Sequence, residues 1–287
     1  MLVIVGTVPL KELPLTEGFC EFENGKLDLD GLSLPLINGT SVVLAAASTV
    51  CTALGLGKPY ALIAGDIGNG EGSNKIYRHL QGIGQKFFAK NSKTVVGMSY
   101  IKPNILYAKD GINALKRLNA TLIADAGAMY VAKASGLATK FDLFTPDLGE
   151  LAFLSDPEAM HPAYVRNFIF NSTNDVPLLA KQAYMFANAA SSLLVKGVVD
   201  YVVKDGKVVA EIAEPCIPAL EPIGGTGDSL LGIVCGFVAA GFSVEQAAVM
   251  AAKVNRLIGA FSSPNPSTKV WEMLAYIPEA VRQTKPN

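Results

Sequence analysis

Short apolar runs alternate with longer helical patterns along most of the chain, and this alternation restricts the possible folds more than any other feature. The apolar runs have the length and uniform hydrophobicity of strands that are buried on both faces. The candidate strands are residues 1–7, 60–64, 94–98, 121–124, 141–144 and 192–196. The candidate helices are residues 74–88, 105–118 and 177–190, followed by a C-terminal part from residue 227 that is nearly all helix. This order predicts an α/β fold with a doubly wound, mostly parallel sheet flanked by helices.

Two segments follow a period-two pattern around a turn dipeptide. Residues 19–23 face residues 26–29 across Asn24-Gly25, and residues 201–203 face residues 207–209 across Asp205-Gly206. Asn-Gly and Asp-Gly are preferred in two-residue hairpin turns, so small β-hairpin additions to the sheet are predicted. The N-terminal hairpin offers an apolar face that it cannot bury alone, and we expect it to cover the functional site or another subunit.

The length of the chain allows one large α/β domain or two small ones. The chain has 287 residues, half of them hydrophobic, which is enough to bury a large core. No linker or repeat divides it, so we expect a single domain over residues 1–287. The net charge of −1 comes from balanced acidic and basic residues without long runs of one sign. This balance gives no electrostatic reason to expect nucleic acid or an acidic membrane surface as a partner.

The order of apolar and charged residues favours a cytoplasmic protein. An apolar run precedes Lys11, the reverse of the order in a secretory signal peptide. The uncharged stretches at residues 31–57 and 229–244 are interrupted or too short to cross a bilayer, and we interpret them as buried helices with their loops. The four cysteines form no Cys-x-x-Cys pair, which fits a reducing compartment. His79 and His161 stand apart, so a zinc site or a Ser-His-Asp hydrolase is not expected, and His161 is interpreted as an exposed loop residue without a role.

The strongest chemical signal is the glycine-rich turn Gly224-Gly225-Thr226-Gly227-Asp228, which leads directly into an apolar helix. The first backbone amides of a helix lack intrahelical partners and lie at the positive end of its dipole. Gly225, Thr226 and Gly227 are therefore predicted to form an anion hole for a phosphate. A carboxylate would repel that phosphate, so Asp228 suggests a second role, as a general base that accepts the proton of an attacking hydroxyl. The alternative is that Asp228 is only the N-cap of its helix.

This turn, with Leu230-Leu231-Gly232 after it, resembles the anion hole and catalytic base of the ribokinase-like superfamily. The branch that it resembles most is the ATP- or ADP-dependent NAD(P)H-hydrate dehydratases. Three further segments resemble that branch in the same order along the chain: Ile123-Ala124-Asp125-Ala126-Gly127-Ala128, Thr145-Pro146-Asp147-Leu148-Gly149-Glu150-Leu151 and Leu194-Val195-Lys196-Gly197.

The resemblance implies a nucleotide site and a metal site. Lys196 and Gly197, together with Gly227, would contact the nucleotide, while Glu150 and Asp125 would hold Mg²⁺, Glu150 through water. Each assignment has a structural alternative. Glu150 is also favoured in a first helical turn by the dipole, Asp125 is a typical strand-ending turn residue, and a lysine at a strand end is commonly just solvated.

The resemblance also implies that Asp147 and Asp228 contact the substrate, but it leaves the substrate open. Asp147 stands where the dehydratases have a histidine that contacts the hydrated nicotinamide, and an acid there changes the charge of the pocket. The glycine-rich segment at residues 65–73 also differs from its counterpart in the family. We interpret it as a wall of the ligand site, with a long surface turn as the alternative.

By resemblance, the leading functional hypothesis is a lyase of metabolite repair. It would phosphorylate the hydroxyl of hydrated NADH or NADPH with ATP or ADP and Mg²⁺, and loss of phosphate would restore the ring. One alternative is a kinase of a sugar, vitamin precursor or other small alcohol, which Asp147 and the N-terminal hairpin favour. A second alternative is a non-catalytic nucleotide sensor, which would not need Asp228. In each case we expect a small-molecule ligand and a homo-oligomer.

Overall fold

The computed structural model describes residues 1–82, 93–162 and 175–284. The strands are β1 (Leu2–Val8), β2 (Thr16–Glu23), β3 (Lys26–Leu29), β4 (Leu32–Leu34), β5 (Tyr60–Gly65), β6 (Val95–Ser99), β7 (Thr121–Ala124), β8 (Leu143–Phe144), β9 (Ser192–Val195), β10 (Asp200–Lys204) and β11 (Lys207–Ile212). The helices are α1 (Thr40–Leu54), α2 (Glu71–Gly82), α3 (Ile105–Arg117), α4 (Gly127–Ala134), α5 (Leu148–Ser155), α6 (Val176–Met185), α7 (Thr226–Ala239), α8 (Val244–Ser262), α9 (Val270–Met273) and α10 (Ile277–Thr284).

Every candidate strand occurs, but the one at residues 141–144 is shorter than the sequence predicts. Phe141 donates its amide to the carbonyl of Ala138, closing a short 3₁₀ turn, so that only Leu143–Phe144 forms β8. The candidate helix at residues 177–190 ends at Met185, because Ala187 takes a left-handed conformation with φ of 55°. The part of the candidate helix 74–88 beyond Gly82 lies outside the described residues.

The described strands form one sheet in the order β11-β10-β9-β8-β7-β6-β1-β5-β2-β3-β4. Strands β9, β8, β7, β6, β1 and β5 are parallel neighbours. The chain leaves β1 toward β5 on one side and leaves β6 toward β7 on the other side, so the topological switch point lies between β1 and β6. The α/β class and the mostly parallel sheet are confirmed.

Side chains alternate between two cores along the central strands. In β1, Leu2 and Ile4 belong to the core under α1, α7, α8, α9 and α10, whereas Val3 and Val5 belong to the core under α2 to α6. This alternation explains why β1 is apolar at almost every position, since both faces of the strand are covered.

Glycines bring α1 and α7 into close contact on one face of the sheet. A Cβ atom placed on Gly232 would lie 2.5 Å from the carbonyl oxygen of Val43, and one placed on Gly236 would lie 2.5 Å from a methyl carbon of Val50. Nearly all of α1 is buried, as the sequence predicts for the uncharged stretch that contains it. The two helices therefore pack backbone against backbone.

Both predicted hairpins are confirmed. Asn24 and Gly25 have φ of 50° and 73°, and Asp205 and Gly206 have φ of 48° and 77°, as a two-residue turn with two left-handed residues requires. The apolar face of the N-terminal hairpin does not cover the functional site, because β2 extends the sheet beside β5. Contact of the hairpin with another subunit stays a prediction. Its apolar residues Cys20, Leu27 and Leu29 are buried in the same core as α1.

None of the helices in the described ranges is long and apolar enough to cross a membrane. The four cysteines are free thiols. A single domain over residues 1–287 stays a prediction.

Candidate functional site

The carboxyl end of β1 and the N-termini of α1 and α7 meet at one edge of the sheet. Thr40, the first residue of α1, donates its hydroxyl to the carbonyl of Thr7 near the end of β1, at 2.6 Å. Asp228, in the first turn of α7, accepts a hydrogen bond from the amide of Gly39, at 2.7 Å. Doubly wound proteins bind ligands outside the carboxyl ends of their strands, so this edge is the candidate site.

The glycine-rich turn begins α7. Its N-cap is Gly225, whose φ of 98° lies in the region that favours glycine. Asn255 on α8 holds the turn, because it donates to the carbonyl of Thr226 at 3.1 Å and accepts from the hydroxyl of Ser229 at 2.7 Å. The first amides of α7, including that of Gly227, are thus fixed at the positive end of a helix, where they can bind an anion.

Asp228 is the third residue of α7 and is 3% exposed. The alternative that it is only the N-cap of its own helix is wrong, since Gly225 takes that position and Asp228 instead binds the amide of Gly39. Burial and the negative charge of Asp125 raise the pKa of Asp228 to about 6. Hydrogen bonds from Gly39 and Tyr100 lower it and limit the rise. A buried carboxyl with this pKa is ionised at neutral pH and can accept a proton.

Lys196 lies between the strand ends and the glycine-rich turn. Its ammonium is 2.7 Å from Asp125 and 3.8 Å from Glu150. A Cβ atom placed on Gly227 would lie 3.2 Å from the same nitrogen. Burial lowers the pKa of Lys196, but the two carboxylates raise it more, so the side chain stays charged. The lysine is therefore a fixed positive charge beside the start of α7, and not a solvated strand end.

Asp125 is buried directly after β7. Its Oδ1 atom accepts hydrogen bonds from Thr145 at 2.9 Å and from Lys196 at 2.7 Å. The next residue, Ala126, has φ of 48° and ψ of −131°, a conformation that is strained for any residue with a Cβ atom. Strain of this kind persists only where the surrounding structure imposes it, and here it accompanies the carboxylate at the end of the strand.

Glu150 and Asp147 form a capping box at the start of α5. Glu150 accepts from the amide of Asp147 at 3.0 Å, and Asp147 accepts from the amide of Glu150 at 2.8 Å. The hydroxyl of Tyr130 donates to the other oxygen of Glu150 at 2.7 Å. Burial raises the pKa of Glu150 to about 7, although the charge of Lys196 opposes this rise. Asp147 is exposed at the edge of the site.

Asp125 and Glu150, the predicted metal ligands, both lie close to the Lys196 ammonium, at 2.7 Å and 3.8 Å. Within residues 1–82, 93–162 and 175–284, no group of three or more histidine, cysteine, aspartate or glutamate side chains could hold a metal ion. Both oxygens of Glu150 and the Oδ1 atom of Asp125 already accept hydrogen bonds, with which direct ligation would compete. Magnesium retains several of its waters, and carboxylate oxygens can accept hydrogen bonds from these as well. The residues present fit a hydrated Mg²⁺ and not a direct protein cage.

Arg256 on α8 fixes the loop that follows Lys196. Its guanidinium binds the carboxylate of Asp200 at 2.7 Å and donates to the carbonyls of Gly197 at 3.0 Å and Val198 at 2.8 Å. Asp200 in turn accepts from the amide of Gly197 at 3.0 Å. The amide of Gly197 is therefore engaged within the loop, and contact of Gly197 with a nucleotide stays a prediction.

The glycine-rich loop at residues 65–73 folds around the buried carboxylate of Asp66. Asp66 accepts from the amides of Gly68 at 2.9 Å, Gly70 at 3.0 Å and Ser73 at 3.0 Å. Burial raises the pKa of Asp66, but these hydrogen bonds lower it more. The loop is thus an ordered turn before α2. His161 is exposed, as the sequence predicts, with its ring edge-on to Tyr130.

The sequence predicted the charged residues of the site but not most of the residues that hydrogen-bond to them or position them. Tyr130 and Thr145 hold the carboxylates, and Asn255 and Arg256 brace the turn and the loop from α8. Tyr100, at the end of β6, binds Asp228. Its position two residues after the candidate strand 94–98 was the available signal, because residues just beyond strand ends lie at the ligand-binding edge of a doubly wound sheet.

Comparisons with solved structures show the fold of the chain. Phosphofructokinase-2 from Escherichia coli, in complex with potassium, has a TM-score of 0.59 at 13% identity and covers 98% of this chain and 99% of its own. A ribokinase-like superfamily protein from Enterococcus faecalis has a TM-score of 0.56 at 13% identity, over 99% of this chain and 87% of its own. Pyridoxal kinase from Staphylococcus aureus has a TM-score of 0.50 at 14% identity, over 89% and 86%. The fold that the motifs indicate, that of the ribokinase-like proteins, is confirmed.

Sequence comparison gives a nearer relative. No family model matches the chain. The Methanocaldococcus jannaschii protein described as uncharacterized protein MJ1337 is 42% identical over 224 residues, which are 78% of this chain and 91% of that protein. The chain therefore belongs to the same family as MJ1337, and its fold is that of the ribokinase-like superfamily.

Proposed function

We propose that the protein is a small-molecule kinase that transfers a phosphoryl group from ATP or ADP to the hydroxyl of a small alcohol. The observation that carries this proposal is the buried carboxylate of Asp228 within the first turn of α7, beside amides that can bind a phosphate. An acid so close to an anion site is unfavourable for binding alone. It is useful where a hydroxyl must lose its proton as it attacks phosphorus.

In the proposed reaction Asp228 accepts the proton of the substrate hydroxyl as the oxygen bonds to phosphorus. The bond between that phosphorus and the leaving nucleotide breaks, and the nucleotide departs with the electron pair. The amides of Gly225, Thr226 and Gly227 stabilise the charge on the transferred group. Lys196, next to Gly227, adds a positive charge that its partners Asp125 and Glu150 hold in place.

Asp125 and Glu150 would hold Mg²⁺ through its waters. The metal ion would neutralise charge on the phosphates of the nucleotide. Burial is the main cause of the raised pKa of Glu150, and the negative charges of Asp125 and Asp147 add to it, so a nearby cation would favour the ionised form that a metal ion needs.

The structural relatives support a kinase more than a dehydratase. The Escherichia coli protein is a phosphofructokinase, and the Staphylococcus aureus protein is a pyridoxal kinase solved with AMP-PCP and pyridoxal. These likenesses extend to the fold, so kinase activity of this chain is a proposal. The tetrameric form of the Escherichia coli enzyme is in line with our prediction of a homo-oligomer.

Dehydration of hydrated NADH or NADPH is the second candidate, and the order of the four motifs favours it. It shares the phosphorylation step and differs only in the fate of the product. Asp147 disfavours the dehydratase function, because its exposed carboxylate adds negative charge where the dehydratases have a histidine.

The test incubates the protein with Mg²⁺, either ATP or ADP, and a panel of sugars, hydroxymethyl vitamin precursors and hydrated NADH. Mass spectrometry detects phosphate esters, and an absorbance assay detects the restored dihydronicotinamide ring together with free phosphate. A stable ester supports the kinase, and a restored ring supports the dehydratase. A nucleotide-dependent rise in melting temperature without any transfer would instead support a nucleotide sensor.

A further inference from the structure

Tyr100 has a backbone conformation that the local turn does not require. It directly follows β6, beside β1 at the topological switch point, and its φ is 51°. The left-handed region is unfavourable for a bulky residue. Four other positions in the described chain with such a φ have Asn or Asp, which tolerate it, namely Asn24, Asp30, Asn119 and Asp205, and the other three have the small residues alanine or serine. The strain at Tyr100 therefore needs another explanation.

Contacts at the site hold Tyr100 in this conformation. The hydroxyl of Thr7 donates to the backbone carbonyl of Tyr100. The ring lies over Gly39, where an added Cβ atom would be 3.4 Å from it. The phenol donates to the carboxylate of Asp228, and burial together with that negative charge raises the pKa of Tyr100, so the phenol stays protonated.

Despite these contacts, Tyr100 is 44% exposed, whereas Asp228 is 3% exposed. The phenol of Tyr100 thus reaches the buried base, while nearly half of the surface of the residue is open to solvent at the same edge of the sheet. An exposed aromatic face beside a proton acceptor can bind a flat carbon surface, such as the C–H face of a sugar ring or an aromatic heterocycle.

We propose that Tyr100 determines the specificity of the site by holding a flat, ring-bearing alcohol against its exposed face, with the reacting hydroxyl directed to Asp228. This inference rests on the proposed kinase function. It names the class of acceptor, a hydroxyl on or next to a ring, and excludes short open-chain alcohols such as glycerol as good substrates.

Three variants test the proposal. Tyr100→Gly removes the ring and relieves the strain, and Tyr100→Phe keeps the ring and removes only the phenol. Asn119→Gly is the matched control, because Asn119 is also left-handed with φ of 56° but lies in an exposed turn between α3 and β7. The binding of sugars, hydroxymethyl heterocycles and glycerol is measured by thermal shift, which does not require turnover.

We expect Tyr100→Gly to weaken binding of ring-bearing alcohols about tenfold or more, as for a lost aromatic contact of about 1.4 kcal/mol. Tyr100→Phe and Asn119→Gly should bind them within about threefold of wild type on the same scale. The shift caused by ATP or ADP should be unchanged in all three.

The two arms of the panel distinguish a sugar from a heterocycle. Any of three results would overturn the inference. Tyr100→Gly could bind ring-bearing alcohols as well as wild type does, or Tyr100→Phe could lose as much of this binding as Tyr100→Gly. The third is a wild-type protein that binds no ring-bearing alcohol. A wild-type protein that binds such an alcohol but never phosphorylates it would overturn the proposed kinase function and leave the role of Tyr100 intact.

Discussion

The carboxylate of Asp228 and the backbone amide of Gly39 are 2.7 Å apart, although 189 residues separate them in the sequence. This hydrogen bond joins the first turn of α7 to the N-terminus of α1. It also gives Asp228 a structural partner besides its proposed catalytic role, so the two roles must be separated by experiment.

Asp228→Asn should separate them. The amide oxygen of asparagine can still accept from Gly39, so the melting temperature should not fall, while the proton acceptor is lost. We expect kcat to fall by roughly 10² to 10⁴, with nucleotide affinity kept or improved because a negative charge beside the phosphates is gone. Steady-state kinetics and thermal melts measure both effects. Wild-type turnover in a folded Asp228→Asn protein would rule out the proposed base.

The turnover rate should depend on the ionisation of Asp228. Because the pKa of this carboxyl is raised to about 6, it is ionised and competent at pH 7 and becomes protonated below pH 6. We expect log kcat to fall with a slope of about one per pH unit on the acidic side. A rate that stays flat down to pH 5 would contradict this assignment.

The raised pKa of Asp228 also predicts how the stability of the protein depends on pH. The folded pKa of Asp228 lies above its ordinary value of 3.8, so its contribution is fully present below about pH 4 and is lost as the pH rises through about 6. Asp228→Asn cannot ionise. In urea unfolding, the free energy of unfolding of the variant should therefore rise relative to that of wild type between pH 4 and pH 8, by at most about 3 kcal/mol. A difference that does not vary with pH would argue against the raised pKa.

Glu150→Gln should weaken the dependence on Mg²⁺ more than the binding of nucleotide. Glutamine can keep a hydrogen bond from Tyr130 but carries no charge to attract a hydrated cation. We expect the half-saturating Mg²⁺ concentration to rise about tenfold, the effect of roughly 1.4 kcal/mol. Asp147→Asn, which changes a carboxylate of the same capping box, is the matched control. Equal metal titrations for wild type and Glu150→Gln would return Glu150 to a purely structural role.

Arg256→Met should destabilise the fold and loosen the nucleotide loop. It leaves Asp200 buried without its cation, and removing one partner of a buried pair typically reduces stability by about 3–5 kcal/mol. The double variant Arg256→Met, Asp200→Asn should recover part of this loss. We expect the KM for nucleotide to rise more than that for the acceptor. Equal increases in the KM values for nucleotide and acceptor would indicate that Arg256 stabilises the whole fold and not specifically the loop after Lys196.

Ala126→Gly should stabilise the protein. Glycine takes the conformation of residue 126 without strain, and relief of about 1–3 kcal/mol exceeds the entropic disadvantage of glycine in the unfolded chain. Ala134→Gly, on the same helix but exposed in ordinary helical conformation, should instead destabilise by about 1 kcal/mol. Chemical denaturation of the two variants measures the difference. Equal destabilisation would mean that Ala126 is not strained.

The features that follow from local pattern were predictable. The alternation of strands and helices, both hairpin turns and the superfamily motif depend on residues close together in sequence. The packing of the N-terminal hairpin was not predictable, because its apolar pattern shows that a face is buried but not which element covers it. Here β2 pairs with β5, and that places the apolar face against α1.

The residues that hold the site depend on contacts between distant segments. Asn255 and Arg256 lie within an ordinary helical pattern, and nothing near them in sequence indicates that one meets Thr226 and the other Asp200. Tyr100 is similar, because its strained φ and its contact with Asp228 exist only once β6 lies beside β1. Asp228 could be found from its glycine-rich turn, and Asp125, Glu150 and Lys196 could be found because they belong to short motifs that resemble those of the ribokinase-like superfamily. The residues that hydrogen-bond to these charged residues or position them have no comparable pattern in the neighbouring sequence.

The close packing of α1 against α7 has a consequence for synthesis of the protein. The partner of α1 emerges roughly 170 residues after it, which at ribosomal rates of about 5–20 residues per second means an interval of roughly 10 to 35 s. During that time the apolar surface of α1 that α7 will cover has no native cover. A nascent chain stalled before residue 226 therefore exposes an apolar surface of α1 that is prone to aggregation. Chaperones that bind exposed apolar segments should associate with it at this stage.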